Sequence, residues 1–359
     1  MEIDWKGIAR SQRALNGGHG ENNILALVTE AEVEEGLLNS LIPDEGGESP
    51  AVGGWFSGPG GWLLLIEPAE PARPSIEALA ASLERAGITG TLTGAKPYGR
   101  PAWSRSIDNL PSWNALLAYK DRPRSYRRAG WSGDPDLLPR VIDYLVDWAT
   151  GDSGQFVVNI NLRPGFAFDP EVGKDVLRKQ VETRTISSAV GYHKKRTELR
   201  GLTLSMPTFV EMSLVPARAD WVSDLDQLRT AMTAVPLDQL SIAMIDHHSW
   251  AYFSATEHDE YDNFEYEGHP EIWDEYTPAP CGIQILTDKH LAHAHDLDDW
   301  NTTRLNDRLH LVQAKDLGPW YSRPLTYHDQ PDPEVIAKAR ADFGDMLFTH
   351  ATAERLGLA

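Results

Sequence analysis

ISSAVGYHKKRTELRGLTLSMPTFVEMSLV, residues 186–215, carries three short strand-like runs in direct succession: 186–192, 201–206 and 208–215. Each is strand-length, and the connections are short enough for hairpins. Hairpin-linked strands pair antiparallel, whereas parallel neighbours need a crossover of about a dozen residues or more. Outward from this stretch, single helices interrupt the strands. Upstream, residues 156–162 alternate in part, as a strand with one wetter face does, and residues 170–181 read as a helix with Pro170 in its first turn. Downstream, Ser223 caps a helix that runs through Thr233 and stops at Pro236, and residues 240–245 form a strand. Strand 282–286, helix 287–295, strands 302–305 and 309–314 and a terminal helix 333–347 complete this part.

The N-terminal part has its own strand-helix-strand unit: apolar strand 62–67, a helix capped by Ser75 and stopped by Gly87, and strand 88–93. The expected fold is α+β, with short mixed or antiparallel sheets and helices packed on one face, rather than a doubly wound parallel sheet. The strand-helix-strand units invite a reading as two ferredoxin-like units, though no residue-level repeat accompanies them.

A chain of 359 residues exceeds the usual size of one core, so two domains are expected. These are residues 1–150, with a Gly/Pro-rich surface loop at 39–61, and residues 151–359, with an acidic aromatic loop at 256–277. The stretch 111–148, with Trp113, Trp131 and Trp148, reads as interdomain packing. Composition is that of a soluble globular protein, 41% hydrophobic and 24% charged. No apolar run approaches the ~20 residues of a membrane helix. Met1-Glu2-Ile3-Asp4-Trp5 lacks the features of a secretory signal, and a lone Cys281 forms no internal disulfide, so the expected compartment is the cytoplasm.

The net charge of -20 disfavours long nucleic acids. It is sharpened in the run from Glu257 through Glu267 to Glu271, Asp274 and Glu275, which holds nine carboxylates and no Lys or Arg. The run lacks the ligand spacing and central Gly of an EF-hand. Its aromatics are costly on a solvated loop, so they either anchor a partner or pin the loop to its own domain. As a partner surface, Asp259, Glu260, Asp262, Glu265 and Glu267 would pair with basic groups, while Tyr261, Phe264, Tyr266 and Trp273 fill apolar pockets.

Motifs for a phosphate-binding loop, a nucleophile elbow, paired-cysteine zinc and His-Glu-x-x-His are all absent. Two histidine groups remain as candidates for chemistry. Asp246, His247 and His248 end a strand, where one His with nearby carboxylates forms a mixed nitrogen-oxygen site. His290 and His293 are three apart on a helix and share a face, as metal ligands do. For both groups the plain alternative is packing or helix-end histidines. Cys281 beside a His is a weak nucleophile pair, since buried structural thiols are commoner.

Two basic clusters stand out. Arg122, Arg124, Arg127 and Arg128 surround Tyr126, and His193, Lys194, Lys195, Arg196 and Arg200 sit around a hairpin tip. Each either holds a small anion or neutralises the chain's own acidic loops.

The leading expectation is a non-catalytic, immunity-like binding protein that presents its acidic, aromatic surface to a basic protein such as a toxin or nuclease, with no cofactor. The alternative is a metal-assisted hydrolase or lyase for a small anionic substrate. It would use Asp246, His247, His248, His290 and His293 for the metal, and Arg124, Arg127, Arg128, Lys194, Lys195 and Arg196 for the anion.

Overall fold

The computed structural model describes residues 1–16, 23–41, 53–58, 61–66, 72–95, 113–119, 136–151, 156–159, 166–183, 186–192, 199–205, 209–215, 221–246, 269–321 and 332–358. The fold is α+β, with one mixed and one antiparallel sheet. Among the described residues no helix is long and apolar enough to cross a membrane.

The first sheet combines β1 (Glu2–Ile3), β2 (Asn23–Thr29), β3 (Gly53–Gly58), β4 (Gly61–Ile66) and β5 (Gly90–Gly94) in the order β1-β5-β2-β4-β3. β1 runs parallel to β5, and the other pairs are antiparallel. Helix α1 (Trp5–Asn16) follows β1, α2 (Glu35–Ser40) precedes β3, and α3 (Ala72–Arg85) links β4 to β5. The strand period of two divides the apolar residues cleanly. Leu25, Leu27, Trp55, Leu64 and Leu92 share a core with Ile8, Ile76, Leu79 and Leu83 of the helices. Ile24, Ala26, Phe56 and Leu63 enter a second, larger core.

The Gly/Pro-rich stretch 39–61 is therefore more than a surface loop. It contains the end of α2 and all of β3, because Trp55 and Phe56 are adjacent strand residues and each is buried in a different core. The Trp55 amide also donates to Asn39 Oδ1 at 2.6 Å, fastening β3 to α2.

The second sheet has ten strands. They are β6 (Trp113–Tyr119), β7 (Phe156–Asn159), β8 (Phe166–Phe168), β9 (Ile186–Tyr192), β10 (Leu199–Ser205), β11 (Phe209–Val215), β12 (Leu240–Asp246), β13 (Ile283–Thr287), β14 (Trp300–Arg304) and β15 (Leu309–Ala314). Their order is β14-β15-β13-β12-β6-β11-β10-β9-β7-β8, and every pair is antiparallel. The two expected hairpins hold: Leu199 faces Tyr192 on one side and Val215 on the other.

Three helices form a layer over this sheet: α4 (Leu137–Thr150), α5 (Pro170–Thr183) and α6 (Trp221–Ala234). Tyr144 of α4 donates its hydroxyl to Ala231 O of α6 at 2.7 Å, and Arg178 of α5 bonds Asp143 of α4. α5 also touches β3, so the larger core joins both sheets.

The chain passes from the first sheet to the second between Gly94 and Trp113. β6 is a central strand of the second sheet, pairing with β11 and β12, and every residue of it is buried. Of residues 111–148, the described ones supply β6 to the second sheet and most of α4.

C-terminal elements complete the cover, with Trp273, Tyr276, Trp300, Trp320, Phe343 and Met346 in the same core. The helix expected over 333–347 is Pro333–Phe343, capped by the Asp332 carboxylate, and a last short helix, His350–Leu356, follows it. The former is shorter than expected because Gly344 takes φ +54 and a 3-10 turn follows. Thr277 then bonds both sides of Leu347, through Met346 O and the Phe348 amide, each at 2.9 Å.

Candidate functional site

The antiparallel register gives the second sheet two distinct ends. Trp113, Tyr192, Leu199, Val215 and Asp246 gather at one, and Tyr119, Leu240, Thr287 and Leu309 at the other. Asp246 closes β12 opposite the buried Asn114 of β6. Cys281 lies beside it, with Sγ 3.8 Å from Asp246 Oδ2 and 3.8 Å from Met244 Sδ. Burial pushes the thiol well up, and the Asp246 charge adds to this, so the sulfur stays protonated and is no nucleophile.

Tyr321 completes this end. Its hydroxyl donates to Ile245 O at 2.8 Å and accepts from the Ile283 amide at 2.9 Å. It thereby bridges β12 and β13 where their ladder has ended, since only Ala243↔Ile285 and Met244↔Gln284 are paired. Burial, then Cys281 and Asp246, push the phenol well up, so it acts as a neutral bridge rather than a base. Trp113 packs edge-on against its ring at 5.3 Å. The thiol and the phenol, both held protonated, serve here as packing and bridging groups.

At the opposite end, residues 274–276 return to the sheet. The Thr287 hydroxyl donates to Asp274 O, Arg308 pairs with Asp274 at 3.3 Å, and Lys289 pairs with Glu275 at 2.7 Å. His290 is fully buried and its ring bridges two elements. The Thr287 amide donates to Nδ1 at 3.1 Å, and Nε2–H donates to Tyr276 O at 2.9 Å. Thr287 in turn caps the short helix Asp288–Ala292, which makes a capping box with His290 at its third position. Burial lowers the ring's pKa to about 4 against an ordinary 6.5, so it is neutral at physiological pH.

This disposes of the His290–His293 metal pair. Both ring nitrogens of His290 are engaged, and His293 caps the helix with its ring stacked on Tyr276 at 5.4 Å. Among the described residues, no three His, Cys, Asp or Glu side chains gather as a metal set. His247 and His248 lie outside the described residues, as do Arg124, Arg127, Arg128, Lys194, Lys195 and Arg196. Asp259, Glu260, Tyr261, Asp262, Phe264, Glu265, Tyr266 and Glu267 also lie outside them.

Trp273 is described, and at 0% exposure it belongs to the core and not to a partner surface. The downstream acids are held likewise: Glu271 by His269 at 2.9 Å, Asp274 by Arg308 and Glu275 by Lys289. Pinning therefore accounts for the end of the acidic run. Its flanks are fixed at opposite ends of the sheet, at Asp246 and at residues 274–276. The strand ends that flank Lys194–Arg196, at Tyr192 and Leu199, stand at the Asp246 end. Tyr119, from which the chain leads to the arginine cluster, stands at the other.

Asn114 and Tyr321 were not singled out from the sequence, since each is isolated in it and takes its role from strand pairing. Comparison of the chain with protein-family models, curated proteins and solved structures finds no match.

Proposed function

We propose that the chain is a binding protein that offers its acidic surface to a basic protein partner, blocking it by occlusion in the manner of an immunity protein. The observation that carries this reading is the charge pattern around the run. From residue 230 to 288 the sequence has no Lys or Arg and twelve carboxylates. The described cations that reach the run, Arg308 and Lys289, engage Asp274 and Glu275 near its end. Glu257, Asp259, Glu260, Asp262, Glu265 and Glu267 have no cation within this span to balance them. A concentrated negative field of this kind speeds encounter with a basic surface and screens steeply with salt.

The test is affinity chromatography on immobilised protein. The comparison is with a variant carrying Asp259→Asn, Glu260→Gln, Asp262→Asn, Glu265→Gln and Glu267→Gln. A basic protein retained by the wild type, released by salt and absent from the variant column supports the reading. Equal retention on both columns sinks it. A lower melting temperature of the variant, without any partner, would instead assign the acids to the chain's own basic clusters.

A further inference from the structure

Among the described residues the β14–β15 hairpin stands at the edge of the ten-stranded sheet, and β14 pairs with β15 alone. An ordinary edge strand buries one face and so alternates. Here only Trp300 is buried; Asn301, Thr302, Thr303 and Arg304 are all exposed. The strand therefore projects beyond the body of the protein, held by its ladder to β15.

The register fixes which backbone groups are used. The Leu305 amide donates to Leu309 O at 2.8 Å, so Leu305↔Leu309 is a hydrogen-bonded pair. Bonded and non-bonded pairs alternate in an antiparallel ladder. Thr303↔Leu311 and Asn301↔Gln313 are then the bonded pairs, and Thr302 and Arg304 turn their N–H and C=O outward. Among the described residues nothing meets these outward groups. The Arg304 side chain curls back to Asn306 O and Asp307 O, at 2.9 and 2.7 Å, and leaves the edge open. Of the usual guards of an edge the strand has no Pro, Lys or bulge, and its one charged side chain, Arg304, folds back onto the turn.

We propose that β14 is a docking edge that receives an extended, basic segment of a protein partner as an eleventh, antiparallel strand. This rests on the basic-partner reading above and adds where and how the partner is held. Charge selects the occupant. Asp296 and Asp298 before the strand and Asp307 after it are exposed and have no side-chain ion pair among the described residues; they outnumber the two cations at these ends, Lys315 on Asp298 O and Arg304 on Asp307 O, while Asp299 is taken by Lys338 at 2.6 Å. A segment alternating Lys with β-formers meets backbone along the edge and carboxylate at its ends. A second copy of this chain brings its own charge of -20 to the same edge and is repelled.

The experiment uses the full chain and a labelled nine-residue peptide, KVKTKVKTK, with a Glu-for-Lys twin, read by fluorescence anisotropy. Hydrogen exchange of the segment 300–305 is followed in parallel. The expected result is binding of the Lys peptide only, with slowed exchange at Thr302 and Arg304. Thr302→Pro removes one outward N–H and no ladder bond, so it should leave the melting temperature in place and weaken binding about tenfold. Arg304→Pro, which removes the other outward N–H, takes its place if Thr302→Pro lowers the melt. Undiminished binding by a folded proline variant, or protection elsewhere on the chain, overturns the docking edge and leaves the basic-partner reading standing. No peptide binding at low salt also overturns it, while the chromatography above separately judges that reading. A concentration-dependent dimer with protected 302 and 304 amides overturns it in favour of self-pairing.

Discussion

Lowering the pH from 7 to 4 should remove about 3 kcal/mol of stability through the single side chain of His290. The ring is buried and neutral, accepting at Nδ1 from the Thr287 amide and donating from Nε2 to Tyr276 O. A second proton would have to sit on Nδ1, which costs the Thr287 amide its acceptor and leaves a charge buried away from water. Burial accordingly holds the folded-state pKa near 4, against an ordinary value of 6.5. As pH falls through 6.5 the unfolded chain takes up a proton and the folded chain does not. The stability that the neutral ring contributes is thus full above 6.5 and is lost progressively down to 4. A gap of about 2.5 pH units at ~1.4 kcal/mol each gives the magnitude. The assay is urea unfolding at half-unit steps between pH 4 and 7.5, for the wild type and for His290→Gln. Glutamine offers Thr287 an acceptor and Tyr276 a donor but does not titrate. Surface carboxylates act alike in both proteins, so the difference between the two curves isolates the imidazole. Parallel curves across this window would refute the reasoning, whatever the absolute cost of the substitution.

Tyr321→Phe should destabilise by about 2 kcal/mol in the same unfolding assay, because Ile245 O and the Ile283 amide lose their shared partner inside the core. A cost below about 0.5 kcal/mol would show that the hydroxyl is not the bridge. The Cys281 thiol, buried and pushed up by its surroundings, should react with Ellman's reagent at pH 8 only as fast as the chain opens. Prompt stoichiometric reaction of the native protein would contradict its burial.

Strands were legible where one apolar period repeats over a strand's length. The runs at 186–192, 208–215, 240–245 and 309–314 fall within a residue of the observed strands because turns or helices delimit them clearly. β3 was hidden because the glycines that let it approach its neighbours also look like loop, and only Trp55 and Phe56 betray it. β6 was hidden for the opposite reason. WNALLAY is covered on both faces, so it has no polar alternation to report. The passage from the first sheet to the second was hidden with it.

Among the site residues, spacing alone misled at His290 and His293. The partner that occupies Nε2 is the carbonyl of Tyr276, fourteen residues upstream, and no local pattern contains it. Trp273 followed the acids around it into a surface reading, although an indole's apolar area favours the core wherever the chain can bring it there.

The short ladder between β12 and β13 bears on cooperativity. β12 joins β6 through six paired positions and β13 joins β15 through five, but β12 and β13 meet through two, helped by one phenol. Opening free energies within a native protein follow such local differences in bonding. Native-state hydrogen exchange should therefore find two cooperative units within the continuous ten-stranded sheet, parting along this seam. The C-terminal unit, with β13, β14, β15 and the helices after them, is expected to open first, since Tyr321 on Ile245 O and Arg308 on Leu240 O are the cross-bracing that would have to give way.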